Sequence, residues 1–227
     1  MIKKSLFLAV TIVMLSLASA SAYQTPIYYP SYDEPWLNQD KASQESIFTH
    51  LYGIGNLERV EDDFDQTWTN ANGVGVTAEA KYAGYGQYFG YLDNSSVFHN
   101  LLTLTQDGYY SAGPYGYIPS SVSSFRFALD PNGSGQAPGI WSSLESNNTD
   151  YFDHMVTFII TGTDSSHPNN VIGDYVIAWE DLPGGGDRDY NDSVYQVHFT
   201  PVPEPASMSL LGLGLLGLFG LRKRKTE

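Results

Sequence analysis

Short runs in which apolar and polar residues alternate fill the middle of the chain, and glycine, proline, asparagine or aspartate separates them. From Val74 to Tyr82 every second residue is apolar, which places these side chains on one face of an extended strand. The alternation returns in Ser193–Thr200, whereas Tyr175–Trp179 is a continuous apolar run. The apolar spacing of a helix is found in Ser43–Tyr52. The pattern predicts a single all-β domain over residues 42–200, an antiparallel β-sandwich or jelly roll with one short helix.

Turn residues predict two strand pairs. Gly84–Gly86 is predicted to be a turn that pairs the strand ending at Tyr82 with Gln87–Leu92, and the Gly-rich segment after Trp179 is predicted to close a second hairpin. The tyrosines interleaved with glycine are expected to pack in the core, with a surface for stacking on sugars as the alternative. These tyrosines are Tyr82, Tyr85, Tyr88 and Tyr91. Residues 23–41 are rich in tyrosine and proline and are predicted to be an extended leader.

The amino-terminal segment has the three parts of a secretory signal peptide. Lys3 and Lys4 precede an apolar run from Leu6 to Leu17, and small residues follow as far as Ala22. The apolar run is shorter than the roughly 20 residues that an ordinary membrane span needs. Residues 1–22 are therefore predicted to be a cleaved signal helix, and an uncleaved anchor is the alternative.

The carboxy-terminal segment, residues 201–227, also has three parts. A Pro-Glu-Pro motif precedes an apolar, Gly-bearing run over residues 206–221, and a basic cluster follows. As a helix, the run would be about 24 Å long, slightly less than the ~30 Å core of a bilayer. The basic cluster is expected to stay in the cytoplasm as a stop-transfer signal. The motif is Pro203, Glu204 and Pro205, and the cluster is Arg222, Lys223, Arg224 and Lys225.

This tail resembles the PEP-CTERM sorting domain, beginning with Val202-Pro203-Glu204-Pro205. The resemblance implies an exosortase-type sorting enzyme as partner, in a Gram-negative bacterium. It also implies that the chain is held in the inner membrane by residues 206–221, cut near the motif, and delivered to the cell surface or extracellular matrix. A plain membrane anchor that is not cut is the alternative.

Charge narrows the range of partners. The whole chain has 11 basic and 25 acidic residues, and the two terminal segments hold six of the basic but only two of the acidic ones. Residues 23–202 therefore carry 5 basic and 23 acidic residues, a net charge of −18. A surface this acidic repels phosphate backbones, so no nucleic-acid partner is expected. The chain has no cysteine, which excludes a Cys-ligated zinc site and disulfides.

The turn of the closing hairpin holds the densest acidic cluster. If its two strands pair, six oxygen-bearing side chains meet at one end, and such ligands suit Ca²⁺. They are Glu180, Asp181, Asp187, Asp189, Asn191 and Asp192. The Asp-x-Asp-x-Asn opening resembles an EF-hand loop, but Asp192 stands where glycine is needed and His198 where the bidentate glutamate is needed. Further ligands are expected from a carbonyl of Gly184–Gly186 or from Asp153.

Two other functions fit the same turn. Paired carboxylates could catalyse glycoside hydrolysis, and a solvated turn could use its carboxylates to cap backbone groups. Crowded carboxylates repel one another, and a bound dication relieves that repulsion more directly than catalysis does. The chain also lacks the motifs of a nucleophile elbow, a His-Glu-x-x-His helix or a phosphate loop. We therefore expect no catalytic residues and no enzymatic activity.

A second acidic cluster lies at Glu61, Asp62, Asp63 and Asp65, beside Phe64 and Trp68. A solvated turn is the expected structure. The alternative is a second cation site, or a contribution to the first.

The acidic turn carries a second resemblance. Glu180-Asp181-Leu182, a Gly-rich step and Asp187-x-Asp189-Tyr190-Asn191-Asp192 are similar to the closing signature of the domain-of-unknown-function family 4114, over roughly residues 142–197. The family lends no activity; the resemblance implies an extracellular bacterial β domain. We expect a non-enzymatic structural or adhesive protein of the envelope or polysaccharide matrix, stabilised by Ca²⁺. The alternatives are a carbohydrate-binding module, with extracellular polysaccharide as partner, and a secreted polysaccharide hydrolase.

Overall fold

The computed structural model describes residues 24–27, 47–131 and 139–199. Over these ranges the chain is mostly strands in antiparallel sheets with few helices, which confirms the all-β, antiparallel prediction. The predicted signal helix, most of the leader and the hydrophobic helix at 206–221 lie outside the described residues. Among the residues that are described, none belongs to a helix with the length and apolar character of a membrane span.

Two short helices and twelve strands make up the described ranges. The helices are α1 (Ile47–Tyr52) and α2 (Asp62–Asp65). The strands are β1 (Leu57–Arg59), β2 (Trp68–Thr69), β3 (Val74–Lys81), β4 (Gln87–Leu92), β5 (Phe98–Leu104), β6 (Gly108–Tyr109), β7 (Tyr115–Ile118), β8 (Ser124–Asp130), β9 (Trp141–Ser142), β10 (Met155–Ile160), β11 (Tyr175–Trp179) and β12 (Ser193–Phe199). Single 3₁₀ turns occupy Ile54–Asn56, Glu145–Asn147 and Pro183–Gly185.

The strands form two sheets. The first has the order β1-β10-β11-β12-β3-β6, and β7 also pairs with β3. The second has the order β2-β8-β4-β5, and β9 adds to β8. The predicted hairpin of β11 and β12 is present, with Tyr175 opposite Val197 at one end and Trp179 opposite Ser193 at the other. The acidic turn therefore lies at the Trp179 end of an interior strand pair.

One apolar core lies between the two sheets. Phe89 of β4 stacks on Tyr195 of β12 with ring centroids 3.8 Å apart, and both side chains are buried. The opposite face of the first sheet is covered by α1, whose Phe48 contacts Phe158 of β10 with centroids 4.8 Å apart. Both faces of the first sheet are thus buried, which explains why β11 is a continuous apolar run.

One sequence-based expectation about these strands is wrong. The predicted partner of β3 was β4, but β3 is hydrogen-bonded to β12 along one edge and to β6 and β7 along the other. No edge of β3 remains for β4, and residues 82–86 carry the chain to the second sheet, where β4 pairs with β5 and β8. The predicted helix Ser43–Tyr52 is described only from Ile47 to Tyr52.

Candidate functional site

The segment that connects β11 to β12, residues 180–192, brings the predicted acidic side chains together. Glu180, Asp187 and Asp189 can each place one carboxylate oxygen within 4.8 Å of the others, and so can Glu180, Asp181 and Asp192. Glu180 belongs to both groups. The hairpin therefore collects four aspartate carboxylates around Glu180, as its pairing predicted.

Glu180 is the buried centre of this cluster, with 2 % of its surface exposed. Its backbone N–H donates to the carbonyl oxygen of His154 (2.9 Å), and its own carbonyl lies 2.8 Å from Nδ1 of His154. These contacts fix the backbone of Glu180 at the start of the turn. Its Oε2 atom is buried and has no hydrogen-bond partner. A buried carboxylate oxygen without a donor is rare, because it has lost its hydrogen bonds to water and no protein group replaces them.

The electrostatics of the cluster disfavour several simultaneous negative charges. Burial, together with repulsion from Asp187, Asp189 and Asp181, raises the pKa of Glu180 to about 9. Burial also raises the pKa of Asp181, although the Gln87 amide donates to its Oδ2 atom (2.9 Å). The half-buried Asp192 has its pKa raised by burial and by Glu180. A proton or a cation is therefore needed to hold these groups together.

Glycine gives the turn its shape. Gly184, Gly185 and Gly186 all have positive φ, of 70°, 78° and 43°, a conformation that residues with a Cβ rarely adopt. A Cβ on Gly185 would lie 2.0 Å from Cε1 of Phe152, and one on Gly186 would lie 2.1 Å from Oε1 of Glu180. The backbone thus approaches both the Phe152 ring and the Glu180 carboxylate more closely than any other residue type permits.

The last part of the turn is fastened to the neighbouring loop. Arg188 places its guanidinium carbon 4.7 Å from the centre of the Phe152 ring. The Tyr190 hydroxyl donates to the carbonyl oxygen of Asp153 (2.8 Å), and its ring is buried beneath α1. Both residues have positive φ, 63° and 55°. Asp189 lies between them and Asp187 directly precedes Arg188, so both carboxylates are carried on a constrained backbone.

Two predicted ligands have other contacts. Asn191 donates its amide Nδ2 to Oδ2 of Asp189 (2.5 Å), so it orients a carboxylate. Asp153 accepts from the Thr25 hydroxyl (3.0 Å) and from the Met155 N–H (3.2 Å), outside both carboxylate groups. Sequence analysis also missed the support that Asp181 receives from the amide of Gln87 and the indole of Trp141. No local motif connects those positions, which are 94 and 40 residues away.

The second acidic cluster is not the solvated turn that we expected. Asp62 and Asp65 are 2 % and 1 % exposed, because α2 turns them inward toward β10. Arg59 pairs with Asp62 (2.9 Å), and the Thr25 backbone N–H donates to the same carboxylate. Neither carboxylate oxygen of Asp65 has a hydrogen-bond partner. Burial and repulsion from Asp153 raise the pKa of Asp65 to about 8.

Comparisons with known proteins identify two segments of the chain. The family described as "Domain of unknown function (DUF4114)" matches residues 122–200, and the PEP-CTERM protein-sorting motif matches residues 201–225. Both resemblances inferred from sequence are confirmed. The motif's Pro203, Glu204 and Pro205 and the basic cluster Arg222, Lys223, Arg224 and Lys225 lie outside the described residues. None of the curated proteins matches the chain.

Two solved structures are similar over part of the chain. One is the Ralstonia solanacearum high-affinity mannose-binding lectin, with 17% identity over 60% of this chain and 97% of the lectin, at a TM-score of 0.37. The other is the C-terminal domain of the BC2L-C lectin from Burkholderia cenocepacia, with 16% identity over 64% of this chain and 100% of that domain, at a TM-score of 0.36. At TM-scores this low, neither similarity supports an inference about a ligand.

Proposed function

We propose that this chain is a non-enzymatic structural or adhesive component of the bacterial envelope, stabilised by Ca²⁺. It is an exported, exosortase-sorted surface protein, and its DUF4114 match lies next to its sorting motif. The cation is held by the acidic turn between β11 and β12. Glu180, Asp187 and Asp189 supply one set of oxygens, and Asp181 and Asp192 supply a second set.

One observation carries the proposal: the buried, unpartnered Oε2 atom of Glu180 at the centre of four aspartate carboxylates. A hard cation satisfies this oxygen and removes the repulsion that raises the pKa of Glu180. Asp187 is exposed and Glu180 is buried, so a cation can enter from the Asp187 side. Carboxylates from both ends of the turn then fix its shape, which is a structural role.

The wider setting is part of the same proposal. A sandwich of the jelly-roll type, supported by two antiparallel sheets that share one core, is the scaffold that presents the turn. Residues 1–22 are removed as a signal peptide, and residues 206–221 hold the chain in the inner membrane until an exosortase cuts near Pro203. The domain then remains at the cell surface or in the polysaccharide matrix.

Thermal unfolding of the exported protein tests the Ca²⁺ site. Ca²⁺ at 100 times its dissociation constant is expected to stabilise the folded state by about 2.7 kcal/mol, and so to raise the melting temperature by roughly 5–10 °C relative to EDTA. Mg²⁺ is expected to do less, because it requires near-octahedral geometry. The double variant Asp187→Asn, Asp189→Asn should lose the effect, whereas Asp63→Asn, at an exposed acidic position, should keep it. An equal rise in the double variant, or no rise in the wild type, would refute the site.

A further inference from the structure

A cavity of about 600 Å³ lies at the opposite end of β11 and β12 from the acidic turn. Tyr175, the first residue of β11, and Phe199, the last residue of β12, both line it. Trp68 of β2 contributes a wall from the second sheet, and Phe64 of α2 stands at its border. At ~3.3 Å per residue, four to six residues of strand place this cavity about 13–20 Å from the acidic turn. It is a separate place on the molecule.

Aromatic rings give the cavity a rigid wall. Trp68 and Phe199 stack with centroids 5.4 Å apart and planes inclined by 14°. Tyr175 meets Trp68 edge-on at 5.2 Å and Phe199 edge-on at 5.8 Å. Phe64 is different: 73 % of its surface is exposed. A large aromatic side chain left in water beside a preformed aromatic wall is typical of a binding surface.

The polar groups of the cavity indicate a neutral, hydroxyl-rich ligand. None of the described residues that line it carries a formal charge, although the protein as a whole carries −14. Thr67 and Thr69 are exposed at its wall.

Other ligand classes fit less well. The net negative charge disfavours an anion. A cation cage needs its rings apart, so that the cation lies over their faces, but Trp68 and Phe199 stack on each other. A sugar ring combines an apolar C–H face with hydroxyls, which matches an aromatic wall that also bears threonine hydroxyls.

We propose that this cavity binds pyranose units of a neutral extracellular polysaccharide, with Phe64 stacking on a sugar face and the Thr67 and Thr69 hydroxyls facing its hydroxyls. The site differs from the tyrosine-rich surface considered from sequence, where Tyr82 and Tyr91 are buried in the core. This proposal rests on the proposed function only in the choice of an extracellular ligand. It identifies a polysaccharide as the partner to which an adhesive surface protein would bind.

Affinity electrophoresis of the exported protein tests this site, in gels that contain dextran, hydroxyethyl cellulose or galactomannan, with anionic alginate as the charged comparison. We expect at least one neutral polymer to retard the wild type, and alginate not to. Phe64→Ala should weaken the binding about tenfold, because it removes the stacking ring from an exposed position. Tyr151→Ala removes a ring of matched exposure (72 %) outside the cavity and should change nothing.

Retardation by none of the neutral polymers would overturn the proposal, and so would equal binding by wild type and Phe64→Ala. Circular dichroism of each variant separates lost binding from lost folding. The double variant Asp187→Asn, Asp189→Asn should still bind the polymer below its melting temperature. If Ca²⁺ does not stabilise the protein but the polymer still binds, only the proposal for the acidic turn fails. If Ca²⁺ stabilises the protein but no polymer binds, only the proposal for this cavity fails.

Discussion

Asp65→Asn is expected to raise the melting temperature by about 10 °C more at pH 8 than at pH 5. Asp65 is 1 % exposed, and both of its carboxylate oxygens lack hydrogen-bond partners. Asp62, Asp153 and Arg59 are the charged groups that act on it, and the Thr157 hydroxyl lies beside it. The two aspartates and the loss of water raise the pKa of Asp65 by more than the arginine and the hydroxyl lower it.

The direction follows from proton linkage. The pKa of Asp65 rises from 3.8 to about 8 on folding, so the folded protein keeps a proton that the unfolded chain has already lost. The stabilisation is complete below pH 3.8 and is lost as pH rises through about 8, which amounts to about 3 kcal/mol between pH 5 and pH 8. Burial lowers the pKa of His154 below 6.5, which opposes this trend only in the acidic part of that range.

Melting curves in EDTA at pH 5, 6.5 and 8 measure the effect. Asp63→Asn is the matched control, because Asp63 lies in the same helix but is exposed. That variant should follow the wild type at every pH. A wild-type protein that becomes more stable from pH 6.5 to pH 8, or an Asp65→Asn variant that follows it, would contradict the prediction.

Gly185→Ala is expected to destabilise the protein by about 4 kcal/mol and to weaken its response to Ca²⁺. Gly185 has φ of +78°, and the added Cβ would fall 2.0 Å from the Phe152 ring. The turn would have to move away from that ring, and Phe152 also contacts Arg188. Asp187 and Asp189 move with Arg188, so the carboxylates would separate from Glu180.

Gly184→Ala provides the comparison. Gly184 has φ of +70°, close to that of Gly185, but nothing lies within 4 Å of its added Cβ. It should lose only about 1 kcal/mol from backbone strain. Urea unfolding with and without Ca²⁺ gives both quantities for the two variants. Equal losses would mean that backbone conformation, and not contact with Phe152, governs the turn.

The closing hairpin shows how far the sequence leads. The apolar run of β11, the alternation of β12 and the Gly-rich turn between them predict the pairing that gathers Glu180, Asp187 and Asp189. The Asp-x-Asp-x-Asn spacing predicts Asn191 as a cation ligand, but the Asn191 amide instead donates a hydrogen bond to the carboxylate of Asp189. Ca²⁺ binding remains a prediction.

The other differences arise from contacts that sequence periodicity does not encode. Alternation shows that β3 is a strand, but not which strands occupy its edges, and β12 comes from more than 100 residues away. Charge likewise predicts that Asp62 and Asp65 are solvated. Their burial depends on α2 packing against β10, a long-range contact with no local signature.

The position of β12 has a consequence for the time at which the protein folds. Among the described residues it is the last strand in sequence, but it lies in the interior of the first sheet, between β11 and β3. Sheets that depend on pairing between distant segments form slowly, because a long loop must close before the contacts form. A chain that crosses a membrane amino end first cannot complete this sheet until residue 199 has emerged. Its core is then finished immediately before the sorting motif, which begins at residue 201, reaches the membrane.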